Sequence, residues 1–120
     1  MKQLFSVLLG LTIFSLTTTA QDYDNPGEYM SAISKQQDNI SKKFMSYASA
    51  SAHGKKAKKV EALRDKLLDE VQEAKMNIQS LPSFKGDKSY RDSTVSFMKL
   101  YYNVLNEDYG KIINMEEIAE

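Results

Sequence analysis

From Val60 to Leu81 apolar residues recur at alternating steps of three and four: Val60, Leu63, Leu67, Val71, Ala74, Ile78 and Leu81. That spacing is the period of one helix face, sustained for three heptads, and Leu68 widens it. Glu61, Arg64, Asp65, Asp69, Glu70 and Glu73 fall on the other side. The pattern predicts a helix over about 56–81, ended by Pro82, which disfavours helical geometry in the residue before it. A stripe of this kind has to be covered, so its neighbours decide the fold.

Both neighbours read as helices. Upstream, Asn25-Pro26-Gly27-Glu28 is a start signal, with Asn25 as N-cap, Pro26 in the first position and Glu28 near the positive dipole end. Met30, Ile33, Gln37, Ile40, Phe44 and Tyr47 then form a stripe, and Gly54 is the expected terminator. Downstream, Asp87 caps a third helix whose inner face reads Tyr90, Thr94, Phe97, Tyr101, Val104, Leu105 and Tyr109, with Met98 flanking. Gly110 weakens it near its end. Asn114 with Glu117, and Ile113 with Ile118, have the spacing of a capping pair and a hydrophobic staple. They predict a fourth helix opening near Met115 and continuing past Glu120; the alternative is a frayed continuation of helix three. Short loops between long helices imply antiparallel neighbours. The fold expected is all-α: an antiparallel up-down bundle of three long helices and the start of a fourth.

Residues 1–20 read as a secretory signal peptide. Lys2 precedes the apolar run Leu4 to Leu16, too short to span a bilayer of ~30 Å. Thr17-Thr18-Thr19-Ala20 supplies small residues before cleavage, leaving a bundle domain over 21–120. No cysteine follows to carry a lipid, and none is present to form disulfides. An exported chain is expected, in the periplasm, at the cell surface or outside the cell, with no transmembrane span once the leader is gone. Lys2 is the only charge in that leader, so 16 basic residues become 15 against 16 acidic. Near-neutrality argues against nucleic acid as a partner.

Around the second loop the order is specific. A helix containing Gln36-Gln37 and a charged helix lead to Pro82-Ser83-Phe84-Lys85-Gly86-Asp87. Three residues later come Arg91-Asp92, then an aromatic helix with Phe97, Tyr101 and Tyr102. Over about 28–118 the chain resembles an uncharacterised family of all-helical bacterial surface proteins, known mainly from Gram-negative envelopes. The resemblance implies an envelope location, a helical fold and a further long helix; the family has no established activity. Locally the loop reads as structural. Pro82 stops one helix, Phe84 folds back on the core, Gly86 allows a left-handed turn, Asp87 caps the next helix, and Arg91 is placed to pair with Asp87.

Catalytic chemistry finds little footing. His53 is the sole histidine and sits before Gly54, so zinc, haem and di-iron ligand sets are lacking, and no cofactor is expected. There is no nucleophile elbow, thiol or phosphate-binding glycine loop. Adjacent acids such as Asp69-Glu70 diverge by ~100° on a helix. The sequence predicts no enzyme. Two surfaces are candidate contacts. Lys55, Lys56, Lys58 and Lys59 crowd a helix N-terminus, where they oppose the dipole and could meet anionic polymer or headgroups, or simply be solvated. Tyr102, next to the inward Tyr101, is expected to face out. The function expected is a non-catalytic envelope or surface protein acting through helix-face or basic-tip contacts with a protein or polymer, with self-association where stripes stay uncovered. The alternative is a periplasmic carrier holding a small apolar ligand between helices.

Overall fold

The computed structural model describes residues 23–120. The leader expected over 1–20 lies outside the described residues. Three long helices form the bundle: α1 (Pro26–Ala52), α2 (Ala57–Gln79) and α3 (Ser89–Asn103). From α3 the chain runs through one π-helical stretch, Val104–Asp108, directly into α4 (Tyr109–Ala119). The all-α antiparallel bundle read from the sequence is what forms.

Local chemistry sets the ends. Asn25 Oδ1 accepts from the Gly27 N–H at 2.7 Å, with Pro26 at the first position. Gly54, at φ +62°, turns the chain out of α1. The Asp87 carboxylate accepts from the Ser89 N–H at 2.8 Å, and that bond holds it below the usual carboxylate range. It caps α3 although the regular turns open one residue beyond Lys88.

Helix α2 is the middle element. It packs against α1 on one side and against α3 and α4 on the other, while the backbones of α1 and α3 never approach each other. Its core stripe is Val60, Arg64, Leu67, Val71, Ala74 and Ile78. Each large aliphatic side chain buried there contributes roughly 1.5–3 kcal/mol relative to exposure. Leu63, expected in that stripe, is only half-buried, and Arg64 takes the core position. On α1 the buried residues are Tyr29, Ile33, Ile40, Tyr47 and Ala50. Met30, expected inside, is 52% exposed, and Tyr29 is buried in its place.

The third helix meets α2 through Arg91, Val95, Met98, Tyr102 and Leu105, one residue on from most of the stripe read in the sequence, of which Thr94 and Leu105 are buried as expected. Tyr90 and Phe97, expected inside, are 44% and 57% exposed. Beyond Leu105 the next buried positions are Gly110 and Ile113, a step of five followed by a step of three. The π stretch supplies that extra residue: its backbone bonds reach back five positions, as from Tyr109 N–H to Val104 O. A simple continuation would have buried Ile112, which is 46% exposed.

The fourth segment therefore begins at Tyr109 and is continuous with α3. Asn114 lies inside it and caps nothing, so the expected opening near Met115 is corrected, and the alternative of a continued third helix is what forms. An Asn-x-x-Glu spacing signals a start only where backbone N–H groups are free, and here the preceding turn already occupies them.

Candidate functional site

The irregular helix and the buried arginine are one construction. Arg64 is 7% exposed, and its Nη1 donates to the carbonyls of Leu105 and Asn106 at 3.1 and 3.2 Å. Both oxygens belong to the π stretch, where the altered bonding leaves acceptor capacity. The other edge of the guanidinium donates to both carboxylate oxygens of Glu61. That pairing raises the arginine pKa further, against the opposing effect of burial. Gly110 gives the group room: a Cβ there would lie 3.3 Å from Arg64 Nη1. Among the described residues no buried side-chain polar atom lacks a partner.

Because α1 and α3 touch only through α2, a groove runs between them. Large rings bridge it at both ends. At one end Tyr29 packs against Phe84 with centroids 5.5 Å apart, and its hydroxyl donates to Pro82 O at 2.9 Å. At the other, Tyr47 stacks on Tyr109 at 5.8 Å. Burial pushes the phenols of Tyr29 and Tyr47 above their ordinary range. Between these bridges is an open cavity of about 410 Å³. Ile40 and Met98 form its floor, Phe44 and Met45 one wall, and Phe97 and Tyr101 the other. Phe97 and Tyr101 stack within 8° of parallel, giving that wall a flat aromatic face. Gln37 and Ser41 are its polar residues, and no lining residue is charged.

The lysine tip differs from its sequence reading. Lys55, Lys56, Lys58 and Lys59 are all exposed, as expected. The C-terminal end of α4, however, folds against the same tip: Glu120 Oε1 accepts from the Ala57 N–H at 2.8 Å, capping α2. The Glu120 carboxylate, badly placed for its own helix, thus sits at the N-terminus of α2, where the dipole favours negative charge and the lysines oppose it. Tyr102 is half-buried beside Gln72 and Lys75, not turned to solvent as expected, because it belongs to the stripe facing α2.

The loop motif is a tight hairpin turn. Phe84 and Asp87 exchange both backbone hydrogen bonds, at 3.0 and 2.8 Å. Lys85 and Gly86 take φ +47° and +84° between them, the sign pattern of a type I′ turn. The Lys85 ammonium sits 5.6 Å from the Phe84 ring centroid. Arg91 does not pair with Asp87. Its Nε bonds Asp92 at 3.0 Å and its Nη1 takes up Leu81 O at 2.9 Å, a carbonyl left over where Pro82 stops α2. These contacts account for Phe84, Lys85, Gly86, Asp87, Arg91 and Asp92 as parts of the joint between α2 and α3.

Among the described residues no cluster of His, Asp or Glu could hold a metal, and no helix is long and apolar enough to cross a membrane. His53 is exposed at the end of α1, its Nδ1 2.7 Å from Ser49 O. In comparisons with known proteins, no family model, curated protein or solved structure matches this chain. The groove was the feature least visible in sequence. Its only signal was that the third helix holds two adjacent apolar stripes, one through Tyr90, Phe97 and Tyr101 and one through Val95, Met98 and Leu105, of which a single neighbour covers one.

Proposed function

We propose that this is an exported, non-catalytic protein of the bacterial envelope or surface, acting through contacts made by its α1–α3 helix face. One observation carries the reading: an aromatic and methionine-rich groove that the bundle leaves uncovered, with Phe97 57% and Met45 65% exposed. Exposed apolar surface concentrated at one place, with no charged lining, marks a contact site. Of the helix face and the basic tip, the lysine tip is the weaker contact surface, because the Glu120 carboxylate shares it. Export rests on the leader-like first twenty residues, and the envelope assignment on the resemblance of the loop and flanking helices. The test is a photo-crosslinking residue at Phe97 in the producing cell, beside the same residue at exposed Lys66. An adduct at Phe97 alone is expected; equal yields at both positions sink the reading.

A periplasmic carrier of a small apolar ligand is the second reading, favoured by the closure of both groove ends by ring pairs. A volume near 410 Å³ also falls within the range of ligand sites, ~300–1,000 Å³. Native mass spectrometry of gently purified protein decides it. A stoichiometric small molecule, lost on substituting Tyr101→Ala and Phe44→Ala, supports the carrier.

A further inference from the structure

The outward edge of α3 is self-complementary. Exposed Ser93, Phe97 and Leu100, with half-buried Val104 at the first residue of the π stretch, form one stripe with steps of four, three and four, so reversing the helix about a point midway between Phe97 and Leu100 returns the same pattern. Phe97 then faces Leu100 of the reversed copy, and Ser93 faces Val104. Phe97 and Leu100 are 57% and 62% exposed, two large apolar side chains at the centre of the stripe. Charge follows the same symmetry. Lys85 and Lys88 stand at the start of α3, Glu107 and Asp108 just past its end, and none of the four is ion-paired among the described residues. Between them Arg91 is paired with Asp92, and Lys99 lies toward α2 beside Gln72 and Lys75.

We propose that the groove's occupant is a second copy of this chain, resting on the helix-face reading above. Its α3 lies antiparallel to the first across a two-fold axis between Phe97 and Leu100. Such an interface is isologous, each copy presenting the same patch. Leu100 and Phe97 of each copy enter the opening of the other's groove over Met45, and the basic start of each α3 meets the acidic Glu107-Asp108 of its partner. The residues from Tyr90 to Glu107 span ~27 Å at 1.5 Å per residue, and two helices are ~20 Å wide. That footprint, on the order of 500 Å² before corrugation, approaches the ~800 Å² per partner of a standard interface, so the dimer is a reversible one. Parallel pairing would stack like charges at both ends.

The chain has no cysteine, which makes the register directly testable. Full-length Ser93→Cys and Val104→Cys proteins are mixed under mild oxidation. The antiparallel register expects the mixed disulfide to dominate. Ser93→Cys alone should crosslink poorly, since its two copies are ~16 Å apart along the axis, beyond the ~7 Å that a disulfide allows between Cα atoms. Sedimentation should show the wild-type mass rising toward twice the monomer with concentration. Phe97→Glu with Leu100→Glu should weaken dimerisation by at least about tenfold with unchanged circular dichroism, because carboxylates cannot be buried there unpaired. A monomer at every concentration, or a self-disulfide of Ser93→Cys outrunning the mixed one, overturns the proposal. The Phe97 photo-adduct separates it from the broader reading. An adduct of twice the chain mass supports the second copy, while one to another macromolecule, with a monomer in solution, overturns the second copy and leaves the helix-face reading standing.

Discussion

Helix α3 carries two apolar stripes side by side, and they meet different fates. Val95, Met98 and Leu105 lie against α2 and are almost fully buried; Tyr90 and Phe97, about a hundred degrees around the same helix, are roughly half exposed. The uncovered side is no less apolar, since it holds the larger rings. What separates them is the distance to a neighbour. Helix α2 is close enough to receive the first stripe, whereas α1 is held off at both ends by Tyr29–Phe84 and Tyr47–Tyr109. Burial here is decided by the spacing that a few large side chains impose, and hydrophobicity only makes a residue eligible for it.

The comparison can be broken most directly at its two centres. Leu105→Ala should cost about 2–5 kcal/mol, the range for emptying a fully buried site. Phe97→Ala should stay within about 1 kcal/mol in dilute, monomeric protein, as expected for an exposed position. Urea unfolding of both at low concentration checks this, and equal losses would mean that the groove is closed in solution. Next in size is Arg64→Ala. It strands the Leu105 and Asn106 carbonyls and leaves Glu61 alone; Glu61 is more than a third exposed, which discounts the ion pair, so about 2–3 kcal/mol is expected. A loss below about 0.5 kcal/mol would show that water serves the π stretch as well as the guanidinium does.

Gly110→Ala sharpens the same point. An ordinary helical glycine gains about 1 kcal/mol on becoming alanine. Here the added methyl crowds the pinned guanidinium, so no gain is expected in the wild-type background and the full gain in Arg64→Ala. Additive behaviour in that double-mutant cycle would refute the clearance role. The smallest effect belongs to the turn. Lys85→Asn puts a residue tolerant of positive φ where a lysine is strained, and should stabilise by about 0.5 kcal/mol after losing its contact with the Phe84 ring. Measured destabilisation would show that the ammonium–ring contact outweighs the backbone strain.

Helix number, order and most ends were legible in the sequence because they rest on local chemistry: Asn25, Pro26, Gly54, Pro82 and Asp87 act within a few residues of themselves. The face of α3 was not, because periodicity identifies a stripe and cannot choose between two adjacent ones. Tyr90, Phe97 and Tyr101 are larger than Val95 and Met98 and so read as the core. Arg64 was assigned to the solvated side because a charged residue is rarely buried unless paired, and its partners are backbone carbonyls more than forty residues away. One trace did exist. A glycine inside a helical pattern, five residues after Leu105, is odd for a regular helix and natural beside a bulky buried group.

The π stretch makes the length of the chain, at that place, as important as its composition. The stretch absorbs one extra residue, so deleting a residue between Val104 and Asp108 would let the helix run on as ordinary α with Ile113 seven places after Leu105, still in the core, and Glu120 still beside the first turn of α2. Inserting a second residue there, with no second π turn to absorb it, would turn everything after it by roughly 100° about its axis, carry Ile113 out of the core and swing Glu120 off α2. One added residue would thus release the lysine end of a helix some fifty positions earlier in the chain, an effect that no single side-chain replacement in that stretch could reproduce.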